Sequence, residues 1–215
     1  MEVVNPNHLP FELTKEFIAD IRLLIENQAN EELLLKLDEL FPADITQILI
    51  ELSTEEAKYL VLLIDTKIAA EIISTLDSDD RKKFLKNFTS KEIAAYINVI
   101  DSDDAVDILN EQPVKVREEV IALLKDREQA RFIIDLMHYD EDCAGGLMQK
   151  ELIKINISQT VTECVEEIRK QAEDVEKVYS VYVIDDDGKL LGTVSLKKII
   201  LAKRGSKIAD VYEDD

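Results

Sequence analysis

From Phe41 onward the chain divides into blocks of twelve residues with no insertion, and this period constrains the fold more than any other feature. The blocks read FPADITQILIEL, STEEAKYLVLLI, DTKIAAEIISTL, DSDDRKKFLKNF, TSKEIAAYINVI, DSDDAVDILNEQ and PVKVREEVIALL, seven in all, ending at Leu124. Five of the seven open with Ser, Thr or Asp, whose short side-chain oxygens accept from the free N–H groups at a helix start. Ser53 with Glu56 and Thr89 with Glu92 have capping-box spacing. Pro113 opens the last block near a helix start, where its missing N–H costs nothing. Positions eight and nine are apolar in every block, from Ile48 and Leu49 to Val120 and Ile121, and position twelve in six of seven, Gln112 being the departure. Positions 5, 8, 9 and 12 thus form an i, i+3, i+4, i+7 stripe, interrupted at position five by Arg81 and Arg117. Each block predicts a helix of about two or three turns and a tight corner. So short a helix is marginal alone, so neighbours must bury the stripe together. The expected architecture is a mainly α superhelix, an α-solenoid of short helices with an acidic outer face.

Helical patterning continues on both sides of the repeat. Phe11 to Gln28 predicts a longer amphipathic helix with Phe17, Ile21, Leu24 and Ile25 on one face, and Asn30 to Leu40 a second. Arg127 to Tyr139 carries the pattern on through Phe132, Ile133, Leu136 and Met137. The 215 residues include 26 basic and 46 acidic ones, a net charge of −20, which repels nucleic acid and anionic membranes and attracts metal cations. A hydrophobic content of 46% excludes a disordered acidic tail. Cys143 and Cys164 have no zinc-type spacing and read as two free thiols, and His8 and His138 are isolated. With no nucleophile–base pair, P-loop or HExxH, an enzyme is not expected. Tyr59 to Ile64 is the longest apolar run, far short of the ~20 residues that span a bilayer, so no direct membrane insertion of this stretch is expected.

At Cys143-Ala144-Gly145-Gly146 the period changes. Glu151 to Ile157 alternates as a strand, and Thr160 with Glu163 boxes the start of a helix that runs to about Asp174. Val178 to Ile184 is a buried strand, Asp185-Asp186-Asp187-Gly188 a hairpin turn, and Leu190 to Val194 the return strand. Ser195 to Ala202 reads as a helix ended by Gly205. Two domains are expected, helical over 1–140 and α+β over 141–215.

This β-α-β-β-α order, with YSVYVIDDDGKLLGTVSLKKIILA, resembles one CBS motif. The junction from Tyr139 to Met148, YDEDCAGGLM, resembles the Y-x-E-x-S-A-G-G-L-M stretch of MgtE-type magnesium transporters, and Asp103 to Leu109 resembles the D-D-A-x-D-x-L repeat of their N domain. The resemblance implies the cytosolic region of such a transporter, at the cytoplasmic face of the cell membrane: an N-terminal superhelix and a first CBS motif, with the chain ending before the second. It implies a membrane pore domain as partner in the full-length protein, homodimerisation through CBS domains, and Mg²⁺ as regulatory ligand. The motif G-x-[ST]-x-x-[ND], whose last residue holds a ribose in nucleotide-binding CBS domains, is replaced here by GTVSLKK with Lys197 or Lys198 near that position, which counts against ATP.

Asp103 and Asp107, at i and i+4, lie on one helical face and are the first metal candidates, because Mg²⁺ takes oxygen ligands and keeps most of its water. Glu71 is a third. Capping and solvated charge are the structural alternatives for these acids, and a solvated turn the alternative for Asp185 to Asp187. In the function so implied, carboxylates repel at low Mg²⁺ and bound ions favour a compact state that closes the pore. A helical-repeat scaffold and an adenine-nucleotide sensor are the competing readings.

Overall fold

The computed structural model describes residues 13–140, 142–172, 175, 178, 180–203 and 205–214. His8, Phe11, Glu141, Asp174 and Tyr179, on which some sequence expectations fall, lie outside them. The chain separates into two compact units. One comprises the described residues up to Ile100 with Asp104–Asp140, the other Asp101–Asp103 with the described residues from 142 on.

The helical unit opens with α1 (Lys15–Glu26) and α2 (Asn30–Asp38). The repeat then yields one helix per block: α3 (Pro42–Glu51), α4 (Thr54–Leu63), α5 (Thr66–Thr75), α6 (Ser78–Leu85), α7 (Ser90–Ile97), α8 (Ser102–Asn110) and α9 (Val114–Leu123). Helix α10 (Arg127–Leu136) follows. The first residue of the block is the N-cap wherever the capping is described. In the Ser53 box, Ser53 Oγ accepts from Glu56 N at 3.3 Å while Glu56 Oε2 accepts from Ser53 N at 2.7 Å. Thr89 and Glu92 reproduce it at 3.3 and 2.6 Å.

The stripe is the core. Positions five, eight and nine are buried throughout the first six blocks, including Ala57, Leu60, Val61, Ala69, Ile72, Ile73, Ala105, Ile108 and Leu109. Stacking skips a helix: α3 packs on α5, α5 on α7 and α7 on α9. Side chains tie the stack at a recurrent separation. Arg22 donates to the Glu51 carbonyl and Lys58 to that of Asn87, both at 2.7 Å and 29 residues apart. Ser90 meets Glu119 across 29 residues and Arg81 meets Glu111 across 30. Two expected interruptions of the stripe are themselves inside: Arg81 is only 9% exposed and Gln112 only 6%.

The second unit is built on β1 (Ile153–Asn156), α11 (Val161–Gln171), β2 (Val181–Ile184), β3 (Leu190–Val194) and α12 (Leu196–Leu201). A 3₁₀ turn over Ile208–Asp210 and a short β4 (Glu213–Asp214), which the sequence reading did not foresee, follow. The sheet order is β1-β2-β3-β4, with β1 and β2 parallel and the other pairs antiparallel. Its core holds Ile153, Ile155, Cys164, Val181, Val183, Val194, Ile199 and Ile208. Burial pushes the Cys164 thiol up to about 11, so it is a packing residue and no nucleophile. Gly188, at φ +79°, supplies the left-handed residue of the hairpin.

Candidate functional site

Helix α8 buries Ala105, Ile108 and Leu109, and that choice of inner face decides where its carboxylates stand. Asp104 and Asp107 are exposed, and Asp103 is half-buried. Asp103 Oδ1 is sheltered from solvent and has no hydrogen-bond partner among the described residues. An unsatisfied buried oxygen costs about 1–3 kcal/mol, more when charged, and a cation or a cation's water removes that cost. The structure therefore carries Asp103 and Asp107 on one short helix, one turn apart, as the sequence spacing requires. Mg²⁺ keeps several waters and is commonly held through one or two carboxylates.

Glu71 stands apart. It is exposed on α5, whose Ala69, Ala70, Ile72 and Ile73 are buried. Among the described residues no group of three or more His, Cys, Asp or Glu forms a metal-sized cluster, so Glu71 does not complete a cage with the two aspartates.

Arg81 and Glu111 are what the sequence reading missed. Arg81 Nε donates to Glu111 Oε2 at 3.0 Å and Nη2 to Oε1 at 2.6 Å, a two-point fork, while Nη1 donates to the Ser74 carbonyl at 2.8 Å. Both side chains are about nine-tenths buried, at 10% and 11% exposure. The Glu111 hydrogen bonds hold the guanidinium above its ordinary value against the opposing effect of burial, and the charges of Glu111, Asp107 and Asp104 add to this. The signal available in the sequence was the stripe itself: a cation at an apolar position demands a buried anion.

In the second unit the acid run of the hairpin is structural. Asp185 Oδ1 accepts from the N–H groups of Asp187 and Lys189 at 3.0 and 2.8 Å, and Asp186 accepts from the Asn156 side chain at 2.9 Å. Lys198, near the position of the ribose-holding residue in nucleotide-binding CBS motifs, pairs with Glu213 at 2.6 Å.

Against this geometry, residues 40–142 match the MgtE intracellular N domain and residues 144–205 match the CBS domain. The structure superposes on the crystal structure of the cytosolic domain of the Mg²⁺ channel MgtE in complex with ATP, with a TM-score of 0.83 and 26% identity over 92% of this chain and 81% of that one. The chain is similar to the cytosolic region of MgtE-type magnesium transporters. The soluble part of a magnesium transporter is a second structural match, at a TM-score of 0.78 and 26% identity, covering 93% of this chain and 78% of that one. Among curated proteins, the magnesium transporter MgtE of Thermus thermophilus is 37% identical over 89 residues, 41% of this chain and 20% of the relative. That of Enterococcus faecalis is 34% identical over 87 residues, 40% of this chain and 19% of the relative. The matched stretch thus spans about a fifth of each MgtE relative. These curated relatives are magnesium transporters, and among the described residues no helix is long and apolar enough to cross a membrane.

Proposed function

We propose that this MgtE-type chain is the Mg²⁺-responsive regulatory region of a magnesium transporter or channel, at the cytoplasmic face of the cell membrane. In this reading the superhelix over 1–140 is the ion-sensing domain and residues 141–215 the CBS domain. Its partners are the transmembrane pore domain of the full-length protein and a second copy engaged through CBS domains. The supporting observation is the sheltered Asp103 Oδ1, without a partner among the described residues, one helical turn from Asp107. Two carboxylates brought to about 4 Å repel by about 4 kcal/mol at an effective dielectric of 20. A bridging ion reverses that sign, so high Mg²⁺ favours a compact, pore-closing state and low Mg²⁺ releases it. Glu71 is a third acidic contributor to ion binding in this scheme.

The test is the hydrodynamic radius and protease sensitivity across millimolar MgCl₂, against NaCl of matched ionic strength. Magnesium is expected to compact and protect the chain where sodium does not, and the double substitution Asp103→Asn/Asp107→Asn is expected to abolish the difference. Equal effects of the two salts would reduce the response to screening and defeat the proposal.

ATP is the second reading, supported by the nucleotide in one structural match. GTVSLKK departs from the nucleotide-binding motif at Lys197 and Lys198, and Lys198 pairs with Glu213, so weak nucleotide binding is expected in calorimetry.

A further inference from the structure

The buried Arg81–Glu111 pair stands at the end of the same run of acids that carries the candidate metal ligands. Asp104 and Asp107, at i and i+3, share a face of α8, and Glu111 follows directly after its last residue, Asn110. Arg81 reaches that face from α6 and grips Glu111 at 2.6 and 3.0 Å. The same guanidinium interacts with the charges of Asp107 and Asp104.

Apolar packing does not require a cation there, although Arg81 Nη1 also satisfies the Ser74 carbonyl. Position five of the block is Ile45, Ala57, Ala69, Ile93 and Ala105 in five of the other six blocks, and all five are buried. An apolar residue would fill the place, and exchanging a buried ion pair for apolar side chains is commonly neutral or stabilising. What an apolar residue cannot supply is a positive charge paired with Glu111 and felt by Asp107 and Asp104.

We propose that Arg81 is the internal counter-ion of the α8 carboxylates and sets how tightly this face takes a divalent cation. The proposal rests on the reading that α8 binds Mg²⁺ and adds a regulator to it. With Arg81 present the four groups carry two net negative charges; without it they carry three. One unit charge acting on a divalent ion about 8 Å away through a near-aqueous medium changes affinity about five- to tenfold. Arg81 thus lowers the affinity of the face and shifts its response toward higher Mg²⁺.

Isothermal titration of the whole chain with MgCl₂ tests this. Arg81→Met is expected to bind about five- to tenfold tighter, Glu111→Gln to bind weaker by a similar factor, and Arg81→Lys to stay near the parent. The double substitution Arg81→Met/Glu111→Gln restores the net charge and is expected to return to the parent value. Loosened packing would instead move the double variant at least as far as either single one. Circular dichroism establishes folding; should Arg81→Met not fold, Glu111→Gln and Arg81→Lys decide, since both retain the cation. If Asp107→Asn weakens binding but the Arg81 and Glu111 variants match the parent, the counter-ion role is overturned and the α8 reading stands. If Asp107→Asn also leaves the isotherm unchanged, the α8 reading itself falls, and this one with it.

Discussion

Glu92 carries two structural duties on one carboxylate. Its Oε2 accepts from Thr89 N at 2.6 Å and Thr89 Oγ1 at 3.0 Å, closing the cap of α7, and meets Lys58 Nζ at 3.0 Å. The Thr89 backbone bond is the main cause that holds its pKa below the ordinary 4.5, burial opposing and Lys58 assisting. The folded value lies below the unfolded one, so the stabilisation is fully present above pH 4.5 and is lost as pH falls through the folded value. Glu163 repeats the arrangement on α11 through Thr160. Thermal melts from pH 7 down to pH 3 should therefore show Glu92→Gln less stable than the parent at neutral pH and the gap closing in acid. A gap that stays constant with pH would assign the loss to packing. At the Ser53 cap, Ser53→Ala should cost about 1 kcal/mol in urea denaturation, because one helix-start N–H loses its acceptor.

At the scale of elements, the apolar stripe decides stability. Ile72 on α5 is wholly buried, and Ile72→Ala should cost about 2–5 kcal/mol by denaturant titration, through lost burial and the cavity left behind. In the sheet, a Cβ added at Gly192 would fall on the Glu213 carbonyl across the β3–β4 pair. Gly192→Ala should expose the β4 amides to rapid hydrogen exchange while β1 and β2 remain protected. The helices and the first three strands were legible in the sequence because their signals are local: a cap, an apolar period, an Asp-Gly turn. β4 was not, since a two-residue strand has no period of its own and exists only through its partner on β3. The carboxylates of α8 were legible as an i, i+4 pair, while the Arg81–Glu111 fork was not. Thirty residues separate its members, and nothing local marks them as a pair.

For the molecule as a whole, a net charge of −20 means self-repulsion in the folded state. In dilute buffer NaCl should raise the melting temperature until screening saturates, near the salt concentration where the Debye length is about 8–10 Å. A specific Mg²⁺ site should then add to that plateau, about 1.4 kcal/mol at ten times its dissociation constant. Calorimetric scans in fixed NaCl with increasing MgCl₂ measure the increment, and its absence would remove the specific site.

The cross-ties of the helical unit recur at 29 to 30 residues, from Arg22–Glu51 and Lys58–Asn87 to Arg81–Glu111. On a chain emerging from the ribosome, each helix meets its clasp only after about two and a half further blocks have been made, and never has to wait for the far end. Assembly can then zip forward turn by turn behind the point of synthesis, with every new clasp locking a stretch whose apolar stripe has just been covered.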